Sequence, residues 1–328
     1  MDKIKIAAIV GPTASGKTAL SIELAKRFNG EIVSCDSMQI YRKMDIGTAK
    51  PTPEERCGIP HHLIDICDLS EKFSCTDYAD RAEAIIKDVS SRGRLPILCG
   101  GTGLYLDSVL RGARDDGAES DPDYRKELQR YADTNGAEAL HSMLKSVDPE
   151  SARSIHPNNI RRVIRALEVF HTSGIKKSEL DKASMEKESN YDALVIGLRY
   201  ENRDVLYERI DKRVDLMLET GLLDEARVLF DEGLLTPDTT AGQAIGYKEL
   251  FPYFSGTASL SSAIEKLKTD TRHYAKRQMT WFSTKTYVNW IPVCSEKDNH
   301  LTKTFEEIVN NAVNLFHKFG FSDIIDKR

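Results

Sequence analysis

No apolar run of about eighteen residues, the length of a membrane-spanning helix, occurs in the sequence. The chain also reaches its first glycine-rich stretch without the apolar segment of a signal peptide. Its six cysteines form neither a C-x-x-C pair nor a cluster with histidine at zinc spacing. These absences argue against a membrane protein, a disulfide scaffold and a zinc protein, and they predict a cytoplasmic protein with reduced thiols.

Internal repeats, low-complexity segments and an excess of basic charge are missing as well. The net charge of -5 argues against a protein that coats nucleic acid with its whole surface. With 328 residues, of which 40% are hydrophobic and 30% charged, the chain can bury the core of one large or two smaller domains. The composition therefore describes an ordinary globular protein, and its function depends on local motifs.

The strongest motif is a phosphate-binding loop near the N-terminus. It consists of Gly11, Pro12, Thr13, Ala14, Ser15, Gly16, Lys17 and Thr18, and it fits the pattern G-x-x-x-x-G-K-[ST]. An apolar strand precedes it at residues 4–10, and an amphipathic helix follows at about 19–28. In such a loop, backbone N–H groups point at phosphate oxygens, the lysine pairs with the outermost phosphate and the threonine hydroxyl holds Mg²⁺.

Asp36 follows a second predicted strand at residues 31–35, so it should face the same crevice as the phosphate loop. A carboxylate there can act as a general base, as an outer ligand of Mg²⁺ or as a turn cap. Further apolar strands are predicted at 61–68 and 95–99, with a helix at 74–91 between them. The strand at 95–99 ends without the aspartate that a phosphate-loop ATPase uses, which disfavours nucleotide hydrolysis.

Helical sequence at 124–134, 137–146 and 159–172 interrupts the alternation of strands and helices, which resumes with a strand at 193–198. The predicted fold class is therefore α/β, with a parallel sheet like that of the phosphate-loop NTPases and an inserted all-helical domain. We place the core at residues 1–116 and 193–328 and the insertion at 117–192. In a later helix, predicted at 202–219, Arg209 and Arg213 suit either a diphosphate or ordinary ion pairs with Glu208 or Asp211.

The insertion contains a cluster of basic residues, and Glu168 is one of few acidic residues near them in the sequence. The basic residues are Arg153, His156, Arg161, Arg162, Arg165, His171, Lys176 and Lys177. Arg161, Arg162 and Arg165 share one side of a helix. This pattern is typical of a solvated basic surface or of a contact with an RNA backbone.

Seven motifs, in this order along the chain, resemble those of the bacterial tRNA dimethylallyltransferases. They lie at residues 11–18, 36–39, 45–51, 100–105, 165–169, 243–248 and 275–278, so the resemblance covers nearly the whole chain. It implies an enzyme that moves the dimethylallyl group of dimethylallyl diphosphate to N6 of the adenine immediately 3′ of the anticodon, with Mg²⁺ as cofactor. A monomer is expected. The segment 115–120 departs from the family in being unusually acidic, and the zinc-finger extension of the eukaryotic relatives is absent.

The resemblance also implies roles for individual residues. The phosphate loop would hold a prenyl diphosphate rather than ATP, with Arg213 joining Lys17 and Thr18, and Asp36 would be the base at adenine N6. The residues expected to contact tRNA are Asp36, Ser37, Met38, Gln39, Thr102, Arg125, Arg161, Arg162, Val163, Ile164, Arg165, Gln243, Ala244, Ile245, Gly246, Tyr247 and Lys248.

Three alternatives use parts of the same pattern. A small-molecule kinase would bind ATP in the phosphate loop and turn it over. An adenylate prenyltransferase would share the catalytic core, but it has no use for a basic helical insertion. A non-catalytic RNA-binding module would leave the complete phosphate loop unexplained.

Overall fold

The computed structural model describes residues 3–112, 120–186, 189–236, 239–294 and 303–322. All but the last residue of the acidic segment 115–120 lie outside this range. The chain divides into two compact units. The first unit, which we call the core unit, comprises residues 3–73, 80–106 and the described residues from 190 onward, and the second, the helical unit, comprises residues 74–79 and the described residues from 107 to 189.

A single parallel sheet of six strands forms the centre of the core unit. Its strands are β1 (Ile4–Val10), β2 (Gly30–Ser34), β3 (His61–His62), β4 (Leu95–Gly100), β5 (Tyr191–Tyr200) and β6 (Val288–Cys294). Their order across the sheet is β3-β2-β4-β1-β5-β6, and every neighbouring pair is parallel. This confirms the predicted fold class. Because β1 pairs with both β4 and β5, the loop that follows it lies at the middle of the carboxyl edge, where parallel sheets bind ligands.

The helices of the chain are α1 (Lys17–Arg27), α2 (Cys75–Ser91), α3 (Gly103–Arg111), α4 (Pro122–Asn135), α5 (Ala137–Val147), α6 (Pro149–Ser154), α7 (Ile160–Ser173), α8 (Lys177–Glu186), α9 (Arg203–Glu219), α10 (Leu222–Asp231), α11 (Phe251–Phe254), α12 (Leu260–Ser283) and α13 (Phe305–Phe319). Among the described residues, no helix combines the length and the hydropathy that crossing a bilayer requires.

The sheet packs its apolar residues against α1, α9 and α13. Ile9 and Ile196 of the central strands, Leu24 of α1 and Phe316 of α13 belong to one buried cluster. At about 25 cal/mol per Å² of apolar surface removed from water, such a cluster is the main source of the core unit's stability. It fixes the strands whose carboxyl ends carry the phosphate loop.

One predicted strand is much shorter than expected. The apolar stretch 61–68 is a strand only at His61–His62, because Leu63 and Asp65 adopt the left-handed backbone conformation with φ of 61° and 57°. The buried ammonium group of Lys50 stabilises the turn that follows, since it bonds to Asp65, to Asp45 and to the carbonyl oxygen of Tyr41. The edge strand β6 was not predicted at all.

The helical unit has its own buried core. Leu128 of α4, Leu140 and Leu144 of α5, and Val163 and Leu167 of α7 pack together. Asp121 caps α4 by accepting a hydrogen bond from the backbone N–H of Tyr124 at 2.9 Å. The predicted all-helical character of the segment is therefore correct, and the structure adds α6 and α8 to the three helices that were predicted.

A buried carboxylate, Glu31 of β2, organises one edge of the core unit. It accepts hydrogen bonds from Arg92 at 2.5 and 2.8 Å, from Arg94 at 2.8 Å and from His62 at 2.8 Å. The hydrogen bonds from Arg92 are the largest cause that lowers the pKa of Glu31, to about 2. His61, the adjacent residue, instead contacts the carbonyl oxygen of Ile59 through Nδ1. The two histidines thus have separate structural partners.

We predict that Glu31→Gln lowers the free energy of unfolding at pH 7 by on the order of 3 kcal/mol. The pKa of Glu31 in the folded chain, about 2, lies below its ordinary value of 4.5, so this stabilisation is fully present above pH 4.5 and is lost as the pH falls towards 2. Urea denaturation of both proteins between pH 3 and pH 7 measures the effect. Glu219→Gln, at an exposed position at the end of α9, is the control. A constant difference across this range would contradict the assignment.

Candidate active site

The phosphate loop has the backbone geometry of an anion-binding nest. Ala14 and Gly16 adopt left-handed conformations, with φ of 60° and 90°, and Gly16 immediately precedes α1. The ammonium group of Lys17 folds back over the loop and donates a hydrogen bond to the carbonyl oxygen of Pro12 at 2.6 Å. The hydroxyl group of Ser15 is buried and has no hydrogen-bond partner in the part of the chain that the structure describes. The loop therefore presents donors that an anion can use.

The side-chain amide of Gln278, on α12, connects the phosphate loop to the turn after β4. Its oxygen accepts a hydrogen bond from the backbone N–H of Thr13 at 2.8 Å, and its nitrogen donates to the carbonyl oxygen of Gly101 at 3.1 Å. A Cβ atom at position 101 would overlap the amide nitrogen of Gln278, so a larger residue there would displace this amide from its present position. The motif at 275–278 was visible in the sequence, but this role of its glutamine was not.

The two arginines of α9 contact the phosphate loop. Arg209 donates to the carbonyl oxygen of Ala14 at 3.0 Å, and Arg213 lies 3.5 Å from the hydroxyl oxygen of Thr13. Neither forms an ion pair with a described carboxylate, and Asp211 bonds Arg272 instead. This arrangement favours the diphosphate interpretation over ordinary ion pairing, which the sequence had left open.

A small cavity of about 70 Å³ adjoins the loop, and Lys17, Thr18, Asp36 and Arg213 are among the residues that line it. Desolvation is the largest cause that lowers the pKa of Lys17, to about 8, and the nearby Arg213 lowers it further. Desolvation also lowers the pKa of Arg213, which the charges of Asp36 and Glu55 partly counter. Two poorly solvated cations, neither bonded to a carboxylate among the described residues, give this cavity the chemistry that suits a multiply charged anion.

Asp36 has the capping role that the sequence left open as one of three, and its position at the cavity is compatible with the other two. One of its carboxylate oxygens caps the following turn, accepting from the backbone N–H of Met38 at 2.9 Å and of Gln39 at 3.4 Å. Its other oxygen has no hydrogen-bond partner among the described residues, and the side chain lines the cavity. Thr102 bonds the next residue, since its hydroxyl oxygen accepts from the backbone N–H of Ser37 at 3.1 Å. The turn is thus fixed with one carboxylate oxygen available for chemistry.

A second cavity, of about 260 Å³, also has Asp36 among the residues that line it. Met38, Val214, Met217 and Ile245 give it apolar walls, and the basic residues Lys248 and Arg277 also line it. The residues that line both cavities are Thr13, Asp36, Thr48, Ala49, Arg213 and Tyr274. The two cavities therefore adjoin each other at these residues, which include Asp36.

The loop that carries Thr48 and Ala49 is fixed by a carboxylate that the sequence analysis missed. Glu225 of α10 accepts hydrogen bonds from the backbone N–H groups of Asp45, Ile46 and Gly47 at 3.0 to 3.1 Å. Its oxygen also accepts from the hydroxyl group of Tyr247 at 2.6 Å. The side-chain amide nitrogen of Gln39 donates hydrogen bonds to this loop, at the carbonyl oxygens of Thr48 and Ala49, both at 3.2 Å.

Tyr247 was predicted to contact RNA, but its side chain is fully buried. Its ring packs against Gly47, where a Cβ atom would lie 2.5 Å from the ring. Tyr247 therefore holds the turn at residues 243–248 against the loop at residues 44–50. The other residues of this turn line the second cavity: Gln243, Ala244, Ile245, Gly246 and Lys248.

In the helical unit, the predicted RNA-contact residues fall into two groups. The carboxylate of Glu168, which is fully buried, accepts from Arg125 at 2.7 and 2.8 Å and from Arg165 at 2.7 Å. The side chains of Val163 and Ile164 are buried in the core of the unit. Arg161 and Arg162, by contrast, are exposed and form no ion pair among the described residues. We therefore restrict the prediction of an RNA backbone contact in this unit to these two arginines.

The residues of the first cavity could bind a metal ion that is also coordinated by the phosphate groups of a ligand. Among the described residues, no three His, Cys, Asp or Glu side chains lie close enough together to hold a metal by themselves. Thr18 and Asp36 line the cavity, however, and Mg²⁺ on a phosphate ligand needs only one or two protein oxygens.

Comparison with known proteins shows which family the chain is similar to. A family model described as IPP transferase matches residues 39–285. A tRNA dimethylallyltransferase of Caldanaerobacter subterraneus subsp. tengcongensis is 49% identical over 309 residues, which are 94% of this chain and 96% of that protein. Another, of Halalkalibacterium halodurans, is 52% identical over 288 residues, covering 88% and 91% of the two chains.

Two solved structures are similar over most of the chain. A tRNA isopentenylpyrophosphate transferase of Bacillus halodurans matches with a TM-score of 0.69 at 48% identity, covering 97% of this chain and 98% of the other. A eukaryotic dimethylallyltransferase acting on tRNA matches with a TM-score of 0.77 at 31% identity, covering 94% and 79%.

We predict that the affinity of the chain for an alkyl diphosphate falls as the pH rises from 7 to 9.5. Lys17 is charged below its pKa of about 8 and neutral above it, whereas the diphosphate is fully ionised above about pH 7.5. Lys17→Ala should lower the affinity at pH 7 by about 10²-fold and abolish this pH dependence. Isothermal titration calorimetry measures both, with the exposed Lys26→Ala on the same helix as the control. If the affinity of the Lys17→Ala variant is within twofold of the wild-type affinity, Lys17 is not part of the diphosphate site.

Proposed function

The chain belongs to the IPP transferase family, and on that premise we propose that it transfers the dimethylallyl group of dimethylallyl diphosphate to N6 of the adenine that follows the anticodon in tRNA. The observation that carries the proposal is the pair of cavities that share Asp36 and Arg213. One is small and cationic, as a diphosphate requires. The other is larger, with apolar walls and basic residues, as a base with a phosphate backbone requires.

Stabilisation of the leaving group supplies most of the rate enhancement, because the exocyclic amine of adenine is a weak nucleophile. As the bond between C1 and the diphosphate oxygen breaks, negative charge grows on the diphosphate. Lys17 and Arg213, which line the small cavity, are suited to stabilise that charge together with backbone N–H groups of the phosphate loop. Mg²⁺, held by the Thr18 hydroxyl group and the diphosphate, would neutralise part of the same charge when bound.

Asp36 is suited to receive the proton that the amine loses. Its capping oxygen fixes the side chain through the backbone N–H of Met38, and its second oxygen faces the cavities. When the lone pair of N6 forms the new bond to C1, the N6 proton passes to this carboxylate. Because Asp36 lines both the first and the second cavity, a base at this position would lie close to the reacting atoms of both substrates.

The acceptor base has to leave its stack to reach the second cavity, at a cost of a few kcal/mol that contacts elsewhere on the RNA must offset. Lys248 and Arg277 at the cavity, and Arg161 and Arg162 in the helical unit, are the basic residues suited to those contacts. We propose a monomer as the active form, because one chain lines both cavities, and we place it in the cytoplasm with its tRNA substrate.

The decisive test incubates the chain and Mg²⁺ with labelled dimethylallyl diphosphate and one of two acceptors, an anticodon stem-loop or free AMP. The proposal expects label on the stem-loop, at the adenine 3′ of the anticodon. Transfer to AMP alone would identify an adenylate prenyltransferase. Phosphoryl transfer from ATP, with no use of the prenyl donor, would identify a kinase.

We predict that Asp36→Asn lowers the single-turnover rate of transfer by about 10²–10⁴-fold, because the amide cannot take the N6 proton. The affinity for dimethylallyl diphosphate should stay within about twofold, since asparagine retains the oxygen that caps Met38. Fluorescence titration of the donor, with the rate measured alongside it, separates the two effects. An equal loss of donor affinity would make Asp36 a residue of the diphosphate or metal site.

We predict that the double substitution Arg161→Ala/Arg162→Ala weakens binding of the stem-loop and reduces the slope of log affinity against log salt by up to about two units. Donor affinity should not change, because both arginines lie in the helical unit. A double substitution of two exposed lysines of the core unit, Lys26→Ala/Lys87→Ala, removes the same charge and serves as the control. Equal slopes in all three proteins would mean that the arginines form only a solvated basic surface.

A further inference from the structure

The proposed reaction leaves one electrostatic requirement unmet. When the C1–O bond breaks, the diphosphate keeps both electrons and the allylic carbons gain positive charge. Lys17 and Arg213 stabilise the anion that leaves, but they do not stabilise this cation. An aromatic ring can, because the face of its π system is negative and because the ring excludes water.

Among the described residues, only one Phe, Tyr or Trp side chain lines either cavity, and it lines both. That residue is Tyr274 of α12. The other residues common to both cavities include Asp36, which is suited to the amine, and Arg213, which is suited to the leaving diphosphate. During the reaction, C1 of the allylic group loses its bond to the diphosphate and gains one to the amine. It therefore has to lie between Arg213 and Asp36, where the two cavities adjoin and Tyr274 lines both.

We propose that the ring of Tyr274 faces the allylic group of the bound donor and stabilises its positive charge in the transition state. This inference rests on the proposed function. It assigns to Tyr274 a catalytic role that no motif in the sequence indicated, and it identifies the group that keeps water from the reacting carbon.

The position of the ring relative to the phosphate loop is fixed by its own helix. Gln278 lies one turn further along α12, on the same side, and its amide bonds the backbone N–H of Thr13 at 2.8 Å. Ala275 is fully buried, which seats this part of α12 in the core cluster. A donor that is bound through its diphosphate is therefore held at a constant distance from the Tyr274 ring.

The hydroxyl group of Tyr274 is not the reactive part of the side chain. Burial is the largest cause that raises its pKa, and the charge of Asp36 raises it further, while a hydrogen bond with Thr102 opposes the change. At neutral pH the group is therefore a phenol and not a base. A neutral phenol does not take the N6 proton, so the aromatic face rather than the oxygen is what the reaction can use.

One face of the ring is already taken. The guanidinium group of Arg277 lies over it, 5.7 Å from the ring centre. Because Tyr274 lines both cavities, our proposal places the donor against the opposite face. Because a cation on one face weakens the attraction for a cation on the other, we expect an effect in the lower part of the range for desolvated cation–π contacts.

The alternative role for such a ring is stacking on the acceptor base. Stacking acts on RNA affinity, whereas stabilisation of the cation acts on the chemical step and on its competition with water. In the productive reaction, the N6 lone pair forms the bond to C1 and the N6 proton goes to Asp36. In the competing reaction, the oxygen lone pair of water forms a bond to the allylic cation, water loses a proton, and the products are an alcohol and diphosphate.

The test measures single-turnover transfer from labelled dimethylallyl diphosphate to the stem-loop, together with release of the labelled alcohol. We expect Tyr274→Phe to stay within about threefold of the wild type, because the ring remains. Tyr274→Leu should lower the transfer rate by about 3- to 30-fold and raise the fraction of alcohol, with donor affinity unchanged. The control is Tyr253→Leu, since Tyr253 also lies under an arginine, Arg227 at 6.0 Å, but lines neither cavity.

A fluorination series keeps the inference testable even if Tyr274→Leu folds poorly. Phenylalanine with one, two and three ring fluorines at position 274 preserves the shape while it removes the negative potential of the face. The inference requires the transfer rate to fall in steps along this series. A flat series, or a Tyr274→Leu effect confined to the KM for RNA, would overturn it in favour of stacking on the base. Absence of transfer by the wild type would overturn the proposed function itself, independently of Tyr274.

Discussion

The site depends on keeping two cations, Lys17 and Arg213, poorly solvated and, within the part of the chain that the structure describes, without carboxylate partners. Such charges are expensive to bury, and the cost appears in their lowered pKa values. The structure tolerates it because the apolar cluster between the sheet and α1, α9 and α13 stabilises the surrounding elements. A multiply charged anion in the cavity would offset this desolvation cost, which would add to its affinity.

Two side chains connect elements of the core unit that are distant in the sequence and so give the site its rigidity, and a third does the same for the helical unit. Gln278 joins α12 to the phosphate loop and to the turn after β4, and Glu225 joins α10 to the loop at 44–50. Glu168 plays the corresponding part in the helical unit, where it binds Arg125 and Arg165. Each is a polar group that receives or donates several hydrogen bonds at once, so the backbone around it has little freedom.

The sequence predicted those parts of the molecule whose signal is local. The phosphate loop, the parallel sheet and the helical insertion follow from glycine spacing and hydrophobic periodicity within short windows. The length of β3 could not be predicted, because the left-handed residues after it depend on Lys50 reaching Asp65 across the turn. Glu225 and Tyr274 were missed for a related reason. Their partners lie on other elements, and a carboxylate or a tyrosine on an amphipathic helix carries no signal of its own.

The attachment of residues 45–47 to Glu225 limits how the protein can change. Three successive backbone N–H groups converge on one carboxylate, and the third belongs to a glycine that the ring of Tyr247 touches. Replacing a side chain in this loop leaves the three donors in place, whereas adding or removing one residue moves them all out of register. The length of the loop is consequently under stronger constraint than its composition. An engineered variant with a different acceptor cavity should therefore be sought through substitutions at Thr48 or Ala49, with the number of residues kept constant.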